Sequence, residues 1–352
     1  MKRRTILRGL SIAPFINGKI FAHHSPQQIV NQESIKKKVT KPKRLQAGDT
    51  LGVIAPSSAI PEHVIEKALE NLTNLGFKLK LGKNVRASNG YLAGTDEQRV
   101  EDLHWAFSDP EVDAVWCIRG GYGATRILPM IDFKIIKKNP KIFIGYSDIT
   151  ALHVAFFQKT GLVTFHGPVG TSEYTDFTKP NVWDLLTKPT PQYLLKHSDE
   201  NLKNESNLFK PEVITAGKCQ GQLIGGNLSL LSAMDGTPYA LKHLKGKILF
   251  MEDIDERPYR VDRMLTQMLQ AHDFTQLAGI ALGVFDGCNP KVDENSLSLM
   301  ACLKDRLGNL GIPVIYGLSF GHIKNQFTLP VGIEAVLDTE TGTITLLEAA
   351  VL

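Results

Sequence analysis

The chain has 352 residues but only four cysteines, and their spacing argues against the sites that cysteine usually marks. They lie far apart, with no Cys-x-x-Cys pair and no Cys/His spacing typical of zinc. Two of them lie within apolar runs, where a buried free thiol is the expected state. An even count does not establish disulfides in a chain of this length. The four residues are Cys117, Cys219, Cys288 and Cys302.

Long apolar runs and a strong excess of one charge are also missing. No run approaches the roughly 18 apolar residues that a membrane-spanning helix needs, so stable membrane insertion is not expected. The net charge is +4, and much of the excess lies in residues 1–44. The rest is near neutral, which argues against a nucleic-acid-binding surface. With 43% hydrophobic and 22% charged residues, the composition is that of a globular protein large enough for two domains.

Residues 1–44 have the features of an export signal followed by a basic linker. Arg3 and Arg4 lie in a charged start, a modest apolar stretch spans 10–15, and a small-residue end occurs near Ala22. This order resembles a twin-arginine signal and predicts an exported, periplasmic protein. Polar residues interrupt the apolar stretch, so a disordered basic tail on a cytoplasmic protein is the alternative.

Beyond this segment, apolar strand patterns alternate with helical periodicity. A Thr95–Gln98 capping box begins one helix, and another is predicted over 258–271. This alternation indicates an α/β protein with a parallel sheet covered on both faces. We predict a first domain over 45–187, an irregular linker over 188–216 and a second domain over 217–352 that ends in a hairpin.

The stretch 141–153 carries the first candidate for chemistry. An apolar strand ends near Ile144, and helical spacing with one apolar face runs from Asp148 to Gln158, which places Ser147 on a sharp strand-to-helix turn. A nucleophile elbow has this arrangement, and the helix N-terminus favours anionic chemistry. A serine before an aspartate at a helix start is also a common N-cap, so both interpretations stay open.

Two later polar residues follow apolar strands. Glu252 follows a strand predicted over 246–251, and His322 follows Gly321. A serine nucleophile needs a base, usually an imidazole held by a carboxylate. The order Ser147, Glu252, His322 would place the site in the cleft between the domains. The histidines that compete for the role of base are His153, His166 and His272.

Acyl transfer also needs donors for an oxyanion. The backbone N–H of Asp148 is one candidate, and a backbone N–H of the Gly120–Gly121 turn, assigned to Gly121, is the other. A plain tight turn and a phosphate cradle are the alternatives for this glycine-rich segment. Its glycine order does not fit the dinucleotide-binding fingerprint.

Five segments, in order along the chain, carry a family resemblance: 119–126 (RGGYGATR), 144–148 (IGYSD), 225–229 (GGNLS), 250–256 (FMEDIDE) and 321–322 (GH). They resemble the LD-carboxypeptidase family of serine peptidases, which includes muramoyltetrapeptide carboxypeptidases and microcin C immunity peptidases. The resemblance spans about residues 45–350. It implies Ser147 as nucleophile, Glu252 as carboxylate and His322 as base. It also implies a flavodoxin-like first domain, a smaller mixed α/β second domain, a homodimer, and no metal or other cofactor.

The resemblance also implies the substrate, a peptidoglycan-derived peptide. Carboxypeptidases of the family cut between the L-centre of meso-diaminopimelate and the terminal D-alanine of the murein tetrapeptide. Arg126 is our candidate for holding the free carboxylate and Arg257 a second, although each could equally be a surface ion-pair partner. The alternatives are an immunity-type hydrolase of peptidyl-nucleotide conjugates and a non-catalytic binder of cell-wall peptides.

Overall fold

The computed structural model describes residues 39–291 and 294–352 of the chain. The predicted export signal lies outside these residues. In the described part, no helix has the length and apolar character that a membrane crossing needs.

The described residues contain fourteen strands and ten α-helices. The strands are β1 (Thr50–Ile54), β2 (Lys78–Leu81), β3 (Ala114–Cys117), β4 (Ile142–Gly145), β5 (Thr164–His166), β6 (Leu194–Leu195), β7 (Glu212–Thr215), β8 (Lys218–Asn227), β9 (Lys247–Ile254), β10 (Gly279–Asp286), β11 (Val314–Gly321), β12 (Leu329–Val331), β13 (Glu334–Asp338) and β14 (Thr343–Leu346). The helices are α1 (Glu62–Thr73), α2 (Asp96–Ser108), α3 (Ala124–Ile127), α4 (Phe133–Lys138), α5 (Thr150–Thr160), α6 (Thr178–Thr187), α7 (Asp199–Lys203), α8 (Leu228–Met234), α9 (Pro258–Ala271) and α10 (Leu299–Leu307).

The first sheet has the strand order β12-β5-β4-β3-β1-β2. Strands β1 to β5 are parallel and follow the order of flavodoxin-like folds. Every residue of the central strand β3 is buried, which explains its uninterrupted apolar sequence, since helices cover both faces of such a sheet. The predicted parallel sheet is therefore confirmed, as are the capping box of Thr95 and Gln98 and the bounds of α9.

The second sheet is mixed, with the order β6-β14-β13-β8-β9-β10-β11-β7. Strands β8 to β11 are parallel, and the outer strands are antiparallel. The predicted terminal hairpin is β13 and β14. The predicted linker over 188–216 contains two strands, β6 and β7, which pair with β14 and β11. These strands have two and four residues, too few to show a periodicity, and the domain boundary there stays a prediction.

The chain crosses from the second sheet to the first between β11 and β12. Strand β11 ends at Gly321 in the second sheet, whereas β12 pairs antiparallel with β5 in the first. His322 is the first residue of this crossing. The crossing therefore carries a candidate base out of the second sheet towards the strands around Ser147.

Two elements differ from the sequence prediction near the site. Helix α5 is buried on all sides over Thr150–Phe157 rather than on one face. One reason is that β8 packs against its first turn, where a Cβ on Gly226 would overlap Thr150. Strand β9 continues through Glu252 and Asp253 to Ile254, whereas the sequence predicted an end at Met251. The sequence did not predict this extension because Glu252 and Asp253 are polar, and their hydrogen-bond partners come from distant parts of the chain.

Candidate active site

Ser147 lies on the turn between β4 and α5, as predicted. Its φ of 65° is one of four positive values at non-glycine residues of the described chain. A short 3-10 turn over Ser147–Ile149 leads directly into α5. Such a conformation is costly for a residue with a Cβ, and it is concentrated at functional sites. The N-cap residues here are Tyr146 for the 3-10 turn and Ile149 for α5, so Ser147 is not an N-cap.

The glycine-rich loop after β3 approaches Ser147 closely. A Cβ on Gly120 would lie 2.9 Å from the Ser147 Cβ and 3.3 Å from the Asp148 nitrogen. Gly121 has a φ of +108°, and a Cβ there would overlap the hydroxyl of Ser58. Gly120 is therefore required where the loop meets the nucleophile turn, and Gly121 where it meets Ser58. The loop residue that precedes Gly121 thus approaches the backbone nitrogen of Asp148, and the roles of Gly121 and Asp148 as oxyanion donors stay predictions.

The carboxylate of Asp148 joins the turns that follow three neighbouring strands. It accepts hydrogen bonds from the Ser57 hydroxyl at 2.6 Å and from the Ala124 backbone N–H at 2.7 Å. Ser57 follows β1, and Ala124 follows the glycine-rich loop. The side chain is 1% exposed, and burial raises the pKa of Asp148 despite these hydrogen bonds. Asp148 thus fixes the turns around the nucleophile, a role that sequence reasoning missed.

The guanidinium of Arg99 connects the same turns from α2. It donates to the carbonyl oxygens of Pro56 and Gly123, each at 2.8 Å, and pairs with Asp96. A Cβ on Gly123 would lie 2.7 Å from this guanidinium. Arg99 is almost fully buried. The two carbonyl partners are 43 and 24 residues away, so the local spacing of Asp96 and Arg99 could not have shown this role.

Glu252 and His322 are in direct contact. The Nδ1 atom of His322 lies 2.6 Å from the Oε2 atom of Glu252. A Cβ on Gly321, whose φ is +114°, would lie 3.0 Å from the Glu252 Cβ. The residue before His322 must therefore be small, and glycine also permits this backbone conformation.

Each member of this pair changes the titration of the other. Burial alone would lower the pKa of His322, but the charge and hydrogen bond of Glu252, together with the charges of Asp253 and Asp286, outweigh burial, and the pKa is raised. Burial alone would raise the pKa of Glu252, but the charge and hydrogen bond of His322 lower it. The pair therefore stabilises an imidazolium beside a carboxylate, as a catalytic base and its supporting acid require.

The ring of Tyr146 connects His322 to the nucleophile turn. Its centroid lies 4.8 Å from that of His322, and Tyr146 directly precedes Ser147. Among the residues that the structure describes, Ser147 makes no recorded hydrogen bond to His322. In free enzymes this contact is often long and closes only with substrate bound. The structure thus brings the three predicted residues into one region, and their catalytic contact stays a prediction.

Asp253 attaches the glycine-rich end of β8 to β9. Its carboxylate accepts from Asn227 Nδ2 at 3.0 Å and from the backbone and hydroxyl of Ser229 at 2.9 and 2.8 Å. Burial, and then the charge of Glu252, raise the pKa of Asp253 to about 6. Two of the sequence segments, 225–229 and 250–256, are therefore parts of one buried network.

The competing histidines have other surroundings. His153 is buried, its Nε2 atom lies 2.8 Å from the Gly145 carbonyl oxygen, and burial lowers its pKa to about 3. His272 pairs with Asp235 at 2.7 Å. His166 lies behind Glu252, with its Nε2 atom 3.9 Å from Oε1, and burial lowers its pKa to about 4. Of the four candidate histidines, His322 is the one that combines a carboxylate partner at 2.6 Å with a ring contact to Tyr146, the residue before Ser147.

The two arginine candidates both have acidic partners. Arg126 makes two hydrogen bonds to Asp96, at 3.0 and 2.8 Å, so its role as the carboxylate-binding residue stays a prediction. Arg257 lies 3.2 Å from Glu294 and donates to the Asn289 carbonyl oxygen. In the described part of the chain, no group of three or more His, Cys, Asp and Glu side chains could hold a metal ion.

Known proteins match both halves of the chain. The LD-carboxypeptidase N-terminal domain matches residues 51–167, and the C-terminal domain of the same family matches 220–337. A probable murein peptide carboxypeptidase of Bacillus subtilis is 45% identical over 303 residues, which are 86% of this chain and 93% of the relative.

Two further similarities represent the two branches of activity. The crystal structure of a muramoyltetrapeptide carboxypeptidase from Oxalobacter formigenes is similar at a TM-score of 0.72 and 33% identity, over 84% of this chain and 97% of that one. The microcin C7 self-immunity protein MccF of Escherichia coli is 30% identical over 330 residues, which are 86% of this chain and 94% of the relative.

Proposed function

The chain belongs to the LD-carboxypeptidase family of serine peptidases, and we propose that it releases the terminal D-alanine of murein tetrapeptides. The bond cleaved is the L,D peptide bond that precedes this residue. The observation that carries the proposal is the 2.6 Å contact of Glu252 with His322. A serine with positive φ lies beside this pair, at the end of β4. A base held by a buried carboxylate next to a strained serine is the arrangement that acyl transfer uses.

In the proposed reaction Ser147 is the nucleophile. Because Nδ1 of His322 is engaged by Glu252, Nε2 is the ring nitrogen left to take the hydroxyl proton of Ser147. The serine oxygen then forms a bond to the carbonyl carbon of the diaminopimelate residue. His322 gives the proton to the amine nitrogen of D-alanine as the peptide bond breaks. D-alanine then leaves, and the rest of the substrate stays bound to Ser147 as an acyl-enzyme ester. Water, deprotonated by the same imidazole, hydrolyses the ester and restores Ser147.

The tetrahedral oxyanion needs two donors in this scheme. We assign them to the backbone N–H groups of Asp148 and Gly121. Support comes from the approach of the glycine-rich loop to within 3.3 Å of the Asp148 nitrogen, measured from the Cβ position of Gly120. Donors fixed in the backbone need no reorganisation as charge develops, and one such donor contributes about 10²- to 10³-fold in rate.

The test is mass spectrometry of purified disaccharide tetrapeptide after incubation with the protein. We expect release of D-alanine by the wild type and none by Ser147→Ala, with thermal unfolding of the variant close to that of the wild type. Labelling of the wild type but not the variant by a serine-reactive probe would locate the acyl-enzyme. Turnover by Ser147→Ala equal to wild type would refute the mechanism. Binding of the tetrapeptide without turnover would favour the non-catalytic alternative.

A second candidate is hydrolysis of a peptidyl-nucleotide conjugate, as in the immunity branch of the family. The observation that favours it is the 30% identity to MccF over 86% of the chain. The same assay with both substrates separates the two functions. A kcat/KM ratio that favours the murein tetrapeptide supports the first candidate, and the reverse ratio supports the second.

Cellular location and assembly follow from the same proposal as predictions. Export through the twin-arginine route would place the protein with its peptidoglycan substrate. The N-terminal sequence of the mature protein from its host tests this prediction. Light scattering of the purified protein tests the predicted homodimer.

A further inference from the structure

Arg119 is a cation on the loop that contacts the nucleophile, and among the described residues it has no acidic partner. Within residues 39–291 and 294–352, no carboxylate lies within ion-pair distance of its guanidinium. Its guanidinium donates a hydrogen bond to the Ala59 carbonyl oxygen, 3.4 Å from Nη1. The neighbouring Arg99 and Arg126 both pair with Asp96 instead. Arg119 is exposed, so its charge is open to a ligand.

The position of Arg119 follows from the loop that contacts Ser147. It directly precedes Gly120, whose Cβ position lies 2.9 Å from the Ser147 Cβ. Because consecutive Cα atoms are about 3.8 Å apart, the Arg119 Cα lies within roughly 8 Å of the nucleophile side chain.

A second observation relates the charge of Arg119 to the predicted base, His322. Burial raises the pKa of Tyr146, and the positive charge of Arg119 acts on that phenol in the opposite direction. The ring of Tyr146 also packs on His322. The charge of Arg119 therefore reaches the ring that packs against His322. The leaving amine of the scissile bond must face His322, and the C-terminal residue of the substrate continues from that amine.

A carboxypeptidase must distinguish a terminal residue from an internal one, and the free carboxylate is the group that differs. A guanidinium is well suited to that recognition, because its parallel N–H groups match the two oxygens of a carboxylate. An arginine that already forms an ion pair with a carboxylate of the protein gains less binding free energy from the carboxylate of a substrate. This condition favours Arg119 over Arg126, the candidate from the sequence.

We propose that Arg119 binds the free C-terminal carboxylate of the peptide substrate and so determines the exopeptidase specificity of this site. The inference rests on the proposed function, because it assigns a group of the same substrate. Arg119 touches substrate and takes no proton, so its contribution lies in binding and orientation.

The experiment compares the tetrapeptide acid with the same peptide ending in D-alaninamide. We expect Arg119→Gln to lower kcat/KM for the acid by roughly 10- to 100-fold, mostly through KM, because a hydrogen bond to a charged group is lost. The amide should be affected little, so the acid-to-amide ratio falls towards one. Arg119→Lys should recover part of the ratio. Arg86→Gln, which removes an exposed arginine paired with Glu62 and Glu66, is the matched control and should keep the ratio.

Two results would overturn the inference. One is an unchanged acid-to-amide ratio in Arg119→Gln while its thermal unfolding and serine-probe labelling match the wild type. The other is a ratio that collapses in Arg126→Gln and not in Arg119→Gln. Calorimetric binding of both peptides to Ser147→Ala, with and without Arg119→Gln, separates this inference from the proposed reaction. A preference for the acid that depends on Arg119 supports the inference even if the wild type shows no turnover.

Discussion

Two buried carboxylates, one on each side of the site, differ in what they face. Asp148 and Glu252 are 1% and 0% exposed, yet the pKa of Asp148 is raised and that of Glu252 is lowered. Asp148 accepts from a hydroxyl and a backbone N–H, and neutral donors do not offset its burial. Glu252 faces a histidine that can carry a positive charge.

This difference indicates a structural role for Asp148 and a catalytic role for Glu252. The carboxylate of Asp148 holds the turns after β1, β3 and β4 together, so its loss should be seen first in stability. The carboxylate of Glu252 raises the proton affinity of His322, so its loss should be seen first in rate. The predictions below test this division.

The largest effect is expected from Glu252→Gln. The amide keeps the size of the side chain but removes the charge, and its NH₂ group can face Nδ1 of His322, which favours the wrong tautomer. In serine peptidases the equivalent loss costs about 10⁴-fold in kcat. We expect a similar fall in D-alanine release, measured by steady-state kinetics, with near-wild-type unfolding in urea.

His166→Phe is the matched control for that prediction. It removes a neighbouring imidazole but keeps a planar ring, and in the described chain neither ring nitrogen of His166 has a hydrogen-bond partner. We expect a loss of at most about tenfold, because no hydrogen bond is broken. A loss with His166→Phe as large as that with Glu252→Gln would assign the base to His166 instead.

A smaller effect, on stability, is expected from Asp148→Ala. It leaves the buried donors of Ser57 and Ala124 without an acceptor, and each unsatisfied donor costs about 1–3 kcal/mol. We expect the free energy of unfolding to fall by about 3 kcal/mol, measured by urea denaturation. Asp148→Asn should lose less, because both hydrogen bonds go to the same oxygen, Oδ2. Unchanged stability in Asp148→Ala would contradict the role assigned to this carboxylate.

The region around Asp148, including the first sheet and the turn at Ser147, was more predictable from the sequence than the region around Glu252. Strands such as β3 are apolar throughout, and Thr95 with Gln98 forms a cap within four residues, so local patterns sufficed. The turn at Ser147 was also predictable, because a strand pattern changes to a helical one there. The hydrogen bonds of Asp148 were not, since its partner Ser57 is 91 residues away.

The surroundings of Glu252 depend on contacts between residues that are far apart in the sequence. Polar residues of β9 are buried because His322, 70 residues later, and Asn227, on the neighbouring strand, provide their partners. Strands β6, β7 and β12 have two, four and three residues, which is too short for a periodic signal. Glu252 and His322 could be identified from the resemblance to a family. Arg119 begins one of the segments that carry this resemblance, but its surroundings and those of Arg99 depend on contacts with distant parts of the chain.

The smallest effect is expected from Asp253→Asn, and its readout is the pH profile. The base must be neutral to accept a proton, so activity falls as the pH drops through the pKa of His322, which the structure raises above its ordinary value of about 6.5. Glu252 supplies most of that increase, and the charge of Asp253 adds to it. Asparagine at 253 removes this charge, so the acid limb of kcat/KM should move to lower pH with little change at the plateau. Asp273→Asn, at an exposed carboxylate that caps a short turn, should leave the limb in place. A limb that moves to higher pH in Asp253→Asn would mean that Asp253 acts on the site through its hydrogen bonds to Asn227 and Ser229 rather than through its charge.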